Sequence, residues 1–182
     1  MGRPAGAFRL LARKVGSGDP ENVEAQAARR YWPLLFGEGF RRERESGGLN
    51  ALLNYGYAVL RSCTARAVTG AGLHPSVAIH HRNRANDMAL VDDLMEPFRP
   101  LVDLAVARLA GRGVAEVTPD AKRALAGLAF ADMRTGAGVT PLATCLERLA
   151  ISLAQAFESG EAKLDLPLAP LPLELGAPEA AT

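Results

Sequence analysis

Apolar residues recur along this chain at the three-and-four spacing of helices, not at the alternation of strands. The clearest run lies between Leu49 and Ala71, where Leu49, Leu52, Leu53, Val59 and Leu60 fall on one face. Gly70 and Gly72 mark its end, and His74-Pro75 begins a connection. Ahead of it, a short basic amphipathic piece from Phe8 to Lys14 is followed by the turn Gly16-Ser17-Gly18-Asp19-Pro20. A helix then begins near Pro20 to Asn22 and runs through Trp32. Asp19 or Asn22 is placed to cap it, Pro20 suits a first turn, and Pro33 ends or kinks it. The charged stretch around Arg41 to Gly48 reads as an exposed loop.

Beyond the long helix, Val77-Ala78-Ile79 is short and β-prone, and Arg82 to Asn86 is polar, so an extended piece and a loop are expected. The next helix starts near Asp92 and reaches Ala110, with a kink at Pro97 and Pro100. Thr118-Pro119-Asp120 opens a helix to about Ala131, and Thr140-Pro141 opens the last, to about Gly160. Residues 164–182 form a Pro-rich irregular tail that could pack as a strap. The fold class predicted is all-α.

Composition agrees with that pattern. Apolar residues make up 48% of the chain but aromatic ones only 5%, with Ala and Leu dominant, and these two lose little on entering a helix. Cys63 and Cys145 stand far apart in apolar surroundings, which speaks against a disulfide framework and for a reducing, cytoplasmic setting. No signal peptide is evident, and charge interrupts every apolar stretch before it could span a bilayer. The net charge of +1 is unevenly spread: 16 Lys and Arg against 11 Asp and Glu through Arg112, then 5 against 9. Steering toward a polyanion is one reading of that bias, and a solvated basic face is the other.

The candidate chemistry lies on the basic part. His80-His81 sits in a predicted loop, and Asp92, Asp93 and Glu96 follow 11 to 15 residues after His81. Asp93 and Glu96 are three apart, on one helical face. With Glu24 on an earlier helix, one imidazole and two or three carboxylates suit Mn²⁺ or Mg²⁺, whereas a thiolate-rich zinc site lacks cysteines. On spacing alone, acids at a helix start more commonly serve the macrodipole, and a His- and Arg-rich loop is more often simply solvated.

The motifs around these residues tip that balance. Asp19-Pro20-Glu21-Asn22-Val23-Glu24 through Tyr31-Trp32 resembles the segment around the first metal-binding glutamate of the CRISPR adaptation integrase family, Cas1. Leu49-Asn50-Ala51-Leu52-Leu53-Asn54-Tyr55-Gly56-Tyr57 is similar to that family's central helix. His80-His81-Arg82-Asn83-Arg84, then Ala89-Leu90-Val91-Asp92-Asp93-Leu94-Met95-Glu96-Pro97-Phe98-Arg99-Pro100, looks like its second and third metal-binding segments, most of all in the type II version. The resemblance runs from about Phe8 to Gly160.

Carried over by residue, it implies Glu24, His81 and Glu96 as catalytic metal ligands, with Asp93 a further candidate at the third corner and His80 structural or DNA-facing. Arg82, Arg84 and Arg99 flank the ligands and could bind phosphate; Arg99 could instead pair with a carboxylate inside the fold. The implied activity is a divalent-metal-dependent DNA endonuclease and integrase that joins spacer DNA to the CRISPR repeat by attack of a 3′-hydroxyl on a phosphodiester. The family's N-terminal β-rich domain has no counterpart here, so residues 1–15 read as a remnant of the inter-domain junction and 16–163 as the helical catalytic domain. The implied partners are spacer-precursor and repeat DNA, with a Cas1 homodimer and Cas2 if the missing domain is supplied, and no membrane. The competing reading is a non-catalytic helical module that binds DNA or a protein partner.

Overall fold

The computed structural model describes residues 5–16, 19–80 and 85–170. The chain folds as two compact units, Met1–Glu43 and Arg44–Thr182. The division falls inside the charged stretch expected to be a loop.

The first unit pairs α1 (Ala5–Lys14) with α2 (Val23–Phe36). Asp19 caps α2: its Oδ1 accepts from the Val23 amide at 2.8 Å and its Oδ2 from the Glu24 amide at 2.9 Å. Two of the four amides that a helix start leaves unpaired are met this way. Pro33 lies inside α2 and does not end it. The last turn survives because Trp32 and Phe36 stack at 6.1 Å, Phe40 closes on both rings, and the Gly37 amide still bonds the Pro33 carbonyl.

The second unit is built around α3 (Leu49–Gly70), which packs against α4 (Ala89–Met95), α5 (Arg99–Gly111), α6 (Pro119–Ala126) and α7 (Leu142–Ser159). Leu52, Leu53, Leu60 and Val68 of α3 are fully or nearly buried, and each such side chain contributes about 1.5–3 kcal/mol of transfer free energy. Gly56 lets α5 come close: a Cβ there would collide with Val102. The expected kink is present, as the 3₁₀ turn Glu96–Phe98 between α4 and α5. Helix α4 starts three residues earlier than predicted because Ala89, Leu90 and Val91 bury their side chains. Thr118 caps α6 through the Ala121 amide.

Three departures concern short elements. Val77-Ala78-Ile79 is irregular, with Val77 and Ile79 exposed and Ala78 half-buried, and forms no strand. The helix opened by Thr118 stops at Ala126 and tightens into the 3₁₀ turn Gly127–Phe130. An antiparallel hairpin, β1 (Asp132–Thr135) with β2 (Gly138–Pro141), then precedes α7, and β3 (Ala169–Pro170) pairs on the other side of β1. Its turn is stitched by Thr135, whose hydroxyl donates to the Gly138 carbonyl and accepts from the Ala137 amide. The start of the tail is thus a strap: Asp165 bonds Ser152 and Leu168 bonds Arg134. The class remains all-α with a small added sheet. Among the described residues no helix is long and apolar enough to cross a membrane.

Candidate functional site

The acidic cluster sits on α4 and the turn after it, held in place by the burial of Leu90, Val91, Leu94, Met95 and Phe98. Its three carboxylates do different work. Asp92 takes a fork from Arg61 of α3, Nε to Oδ1 at 2.6 Å and Nη2 to Oδ2 at 3.0 Å. Asn86 adds a bond to Asp92 Oδ2 at 2.8 Å, and its own side-chain oxygen accepts from the Met88 amide. The Asp92 hydrogen bond, aided by its charge, outweighs desolvation and raises the Arg61 pKa.

Asp93 turns to the other end of the same loop. Its Oδ2 accepts from the Ile79 amide at 2.7 Å and the His80 amide at 2.9 Å. The Leu90 amide donates to the Pro75 carbonyl at 2.8 Å, tying the segment's beginning to α4 as well. The histidine-bearing connection is therefore anchored to α4 on both sides of residues 81–84.

Glu96 belongs to neither anchor. Its side chain is half exposed, and Oε1 accepts from Arg99 Nη1 at 2.7 Å. The Arg99 guanidinium lies 4.6 Å over the Tyr57 ring, a cation–π geometry. Tyr57 in turn donates its hydroxyl to Asp103, a buried carboxylate on α5. Burial pushes the Tyr57 phenol up, the Asp103 charge and hydrogen bond add to that, and Arg99 opposes it. Burial works against the Arg99 charge, but Glu96 and Tyr57 more than offset it and its pKa rises. Arg99 thus pairs with the half-exposed carboxylate of Glu96, one turn away, and lies over the Tyr57 ring.

Glu24 stands exposed in the first turn of α2, its amide held by Asp19; it belongs to the first unit, and Asp93, Glu96 and Arg99 to the second. His81, Arg82 and Arg84 lie outside the described residues. Among the described residues no three His, Cys, Asp or Glu side chains form a metal-binding group; the expected set needs His81. By donor chemistry, two carboxylates and one imidazole suit a hard divalent ion such as Mn²⁺ or Mg²⁺.

Sequence reasoning missed the roles of Arg61, Asn86 and Asp103. A signal existed for two of them: Tyr57 and Arg61 are four apart on α3, hence on one face, and Asp103 interrupts an otherwise apolar stretch of α5.

Residues 19–127 match the family model described as CRISPR associated protein Cas1, a span containing Glu24, His81, Asp93, Glu96 and Arg99. The chain is 48% identical over 120 residues to the CRISPR-associated endonuclease Cas1 of Neisseria meningitidis, covering 65% of this chain and 39% of that one. It is 33% identical over 158 residues to the CRISPR-associated endonuclease Cas1 2 of Pyrobaculum aerophilum, covering 83% and 52%. It therefore spans about half or less of these curated relatives. Among solved structures, a casposase bound to integration product aligns with TM-score 0.66 at 24% identity, over 82% of this chain and 50% of that chain. A Cas6-RT-Cas1–Cas2 complex aligns with TM-score 0.71 at 21% identity, over 93% and 22%. At these identities the two structures speak for the fold alone.

Proposed function

This chain belongs to the CRISPR-associated Cas1 family, and we propose that it supplies the catalytic part of a divalent-metal-dependent DNA endonuclease and integrase of CRISPR adaptation. The observation that carries this is the reach of the family match, which spans every candidate ligand. The relatives' naming as endonucleases supports the nuclease reading. The casposase neighbour shares this fold and is bound to integration product, and strand transfer is the partner reaction we propose.

In that reaction a DNA 3′-hydroxyl attacks a phosphodiester, one O–P bond forms, and the bridging oxygen leaves. With water in place of the hydroxyl, the same displacement is cleavage. Glu24, His81 and Glu96 are the residues that would hold Mn²⁺ or Mg²⁺. When bound, such an ion supplies Lewis acidity toward the phosphoryl oxygens and a template for the attacking hydroxyl. Arg82 and Arg84 are assigned to phosphate contacts. Arg99 steadies Glu96 through their ion pair and gains rigidity from Tyr57. The half exposure of Glu96 leaves its carboxylate reachable from solvent. The proposed partners are spacer-precursor and repeat DNA, and, for paired integration, a second Cas1 copy and Cas2.

The test is Mn²⁺-dependent cleavage and strand transfer on branched DNA, with Glu24→Ala and His81→Ala as controls. Loss of both activities in both variants is expected. Activity that survives both substitutions would sink the assignment. Binding that is metal-independent and steeply salt-dependent, with no cleavage, would favour a non-catalytic DNA-binding module.

A further inference from the structure

We propose that Asp93 is a positioning residue that fixes the backbone immediately before His81, and is not itself a metal ligand. The inference rests on the metal-site reading above and divides the labour among its acids. A single oxygen, Oδ2, receives two consecutive amides, Ile79 at 2.7 Å and His80 at 2.9 Å. Both are charge-assisted, with lengths in the range of strong N–H···O⁻ bonds. The carboxylate rides on α4, whose Leu90, Val91, Leu94 and Met95 are buried, so its position is set by the core and passed to the loop.

Val77 is 61% exposed and Ile79 57%, so apolar packing does not fix this backbone. His81 follows directly in the chain, and bringing a ligand to an ion costs the ordering entropy of the backbone that carries it. A clamp on the two preceding amides removes much of that cost in advance. Coordination by Oδ2 would compete with both amides for the same lone pairs. Glu96, one turn along, makes no such bonds to the loop among those of the described residues; its Oε1 pairs with Arg99.

Two substitutions separate clamp from ligand because they predict opposite orders. Asp93→Asn keeps an oxygen at the same reach, able to accept both amides, but loses the charge a ligand needs. Asp93→Glu keeps the charge and moves the oxygen by one methylene, away from the amides. The measurements are amide hydrogen exchange of Ile79 and His80 by NMR, and Mn²⁺ affinity by calorimetry, both on the full chain. The clamp predicts that Asp93→Asn, which gives up the charge assistance but keeps the acceptor, exchanges those amides and binds Mn²⁺ within about threefold of the parent. It predicts that Asp93→Glu exchanges those amides about tenfold faster and loses about tenfold or more in affinity, the usual cost of disturbing a ligand's support. The reverse order, with Glu tolerated and Asn not, would overturn the proposal, as would equal losses or unchanged exchange in both. If the parent chain binds no Mn²⁺, the metal reading fails, and the exchange order alone still decides whether Asp93 holds the segment.

Discussion

Replacing Tyr57 by Phe isolates one bond in the network behind the candidate site. The phenol donates to Asp103, which is only 4% exposed, so the substitution takes a donor from a buried carboxylate while leaving the ring. The ring's contact with Arg99 at 4.6 Å is therefore retained. A hydrogen bond to a charged group is worth about 1.5–3 kcal/mol. For a chain of this size that corresponds to roughly 2–4 °C in Tm per kcal/mol, so a fall of about 3–12 °C is expected. Urea unfolding followed by circular dichroism should show a lower midpoint at unchanged slope. The pH dependence provides an internal check. The Tyr57 pKa is raised in the folded state, first by burial, then by the Asp103 charge and hydrogen bond. Its contribution is thus complete below the ordinary tyrosine value of about 10 and is lost as pH rises through the interval above it. The stability gap between parent and Tyr57→Phe should narrow above about pH 10. A Phe variant as stable as the parent at pH 7, or a gap that widens in alkali, would refute the reasoning.

Gly56→Ala should destabilise by about 1–2 kcal/mol, since the new Cβ meets buried Val102 and overpacking outweighs the helix-propensity gain; Gly70→Ala, with open space around it, should be neutral or stabilising by the same unfolding assay. Thr118→Ala removes the cap of α6 and should cost about 1 kcal/mol in the urea midpoint. Arg61→Gln breaks the fork to Asp92, whose members are 43% and 23% exposed; solvent screening holds the loss to about 1 kcal/mol, while exchange of the Met88 amide, which donates to Asn86 Oδ1, should quicken.

The long elements were legible because their period is strong. Helix α3 begins at Leu49 and ends at the predicted glycine, and Thr118 and Pro141 flank the helices they were expected to open. The hairpin was not legible: its strands are four residues each, and Thr140-Pro141 carries a helix-start signal that masked a strand end. Val77 to Ile79 misled in the opposite sense, since β propensity has no effect without a neighbouring strand. At the site, spacing exposed the acidic cluster but not its division of labour, because that depends on which backbone lies opposite each carboxylate. Asp93 faces two amides and Asp92 faces Arg61, and neither partner is near in sequence.

The central claim, that Glu24, His81 and Glu96 hold one divalent ion, is tested most directly by titrating the chain with Mn²⁺ under electron paramagnetic resonance. One ion per chain is predicted, with a nitrogen coupling that vanishes in His81→Ala and affinity that falls about tenfold or more in Glu24→Gln and in Glu96→Gln. A nitrogen coupling that persists without His81, or affinity unchanged in the two glutamine variants, would contradict it.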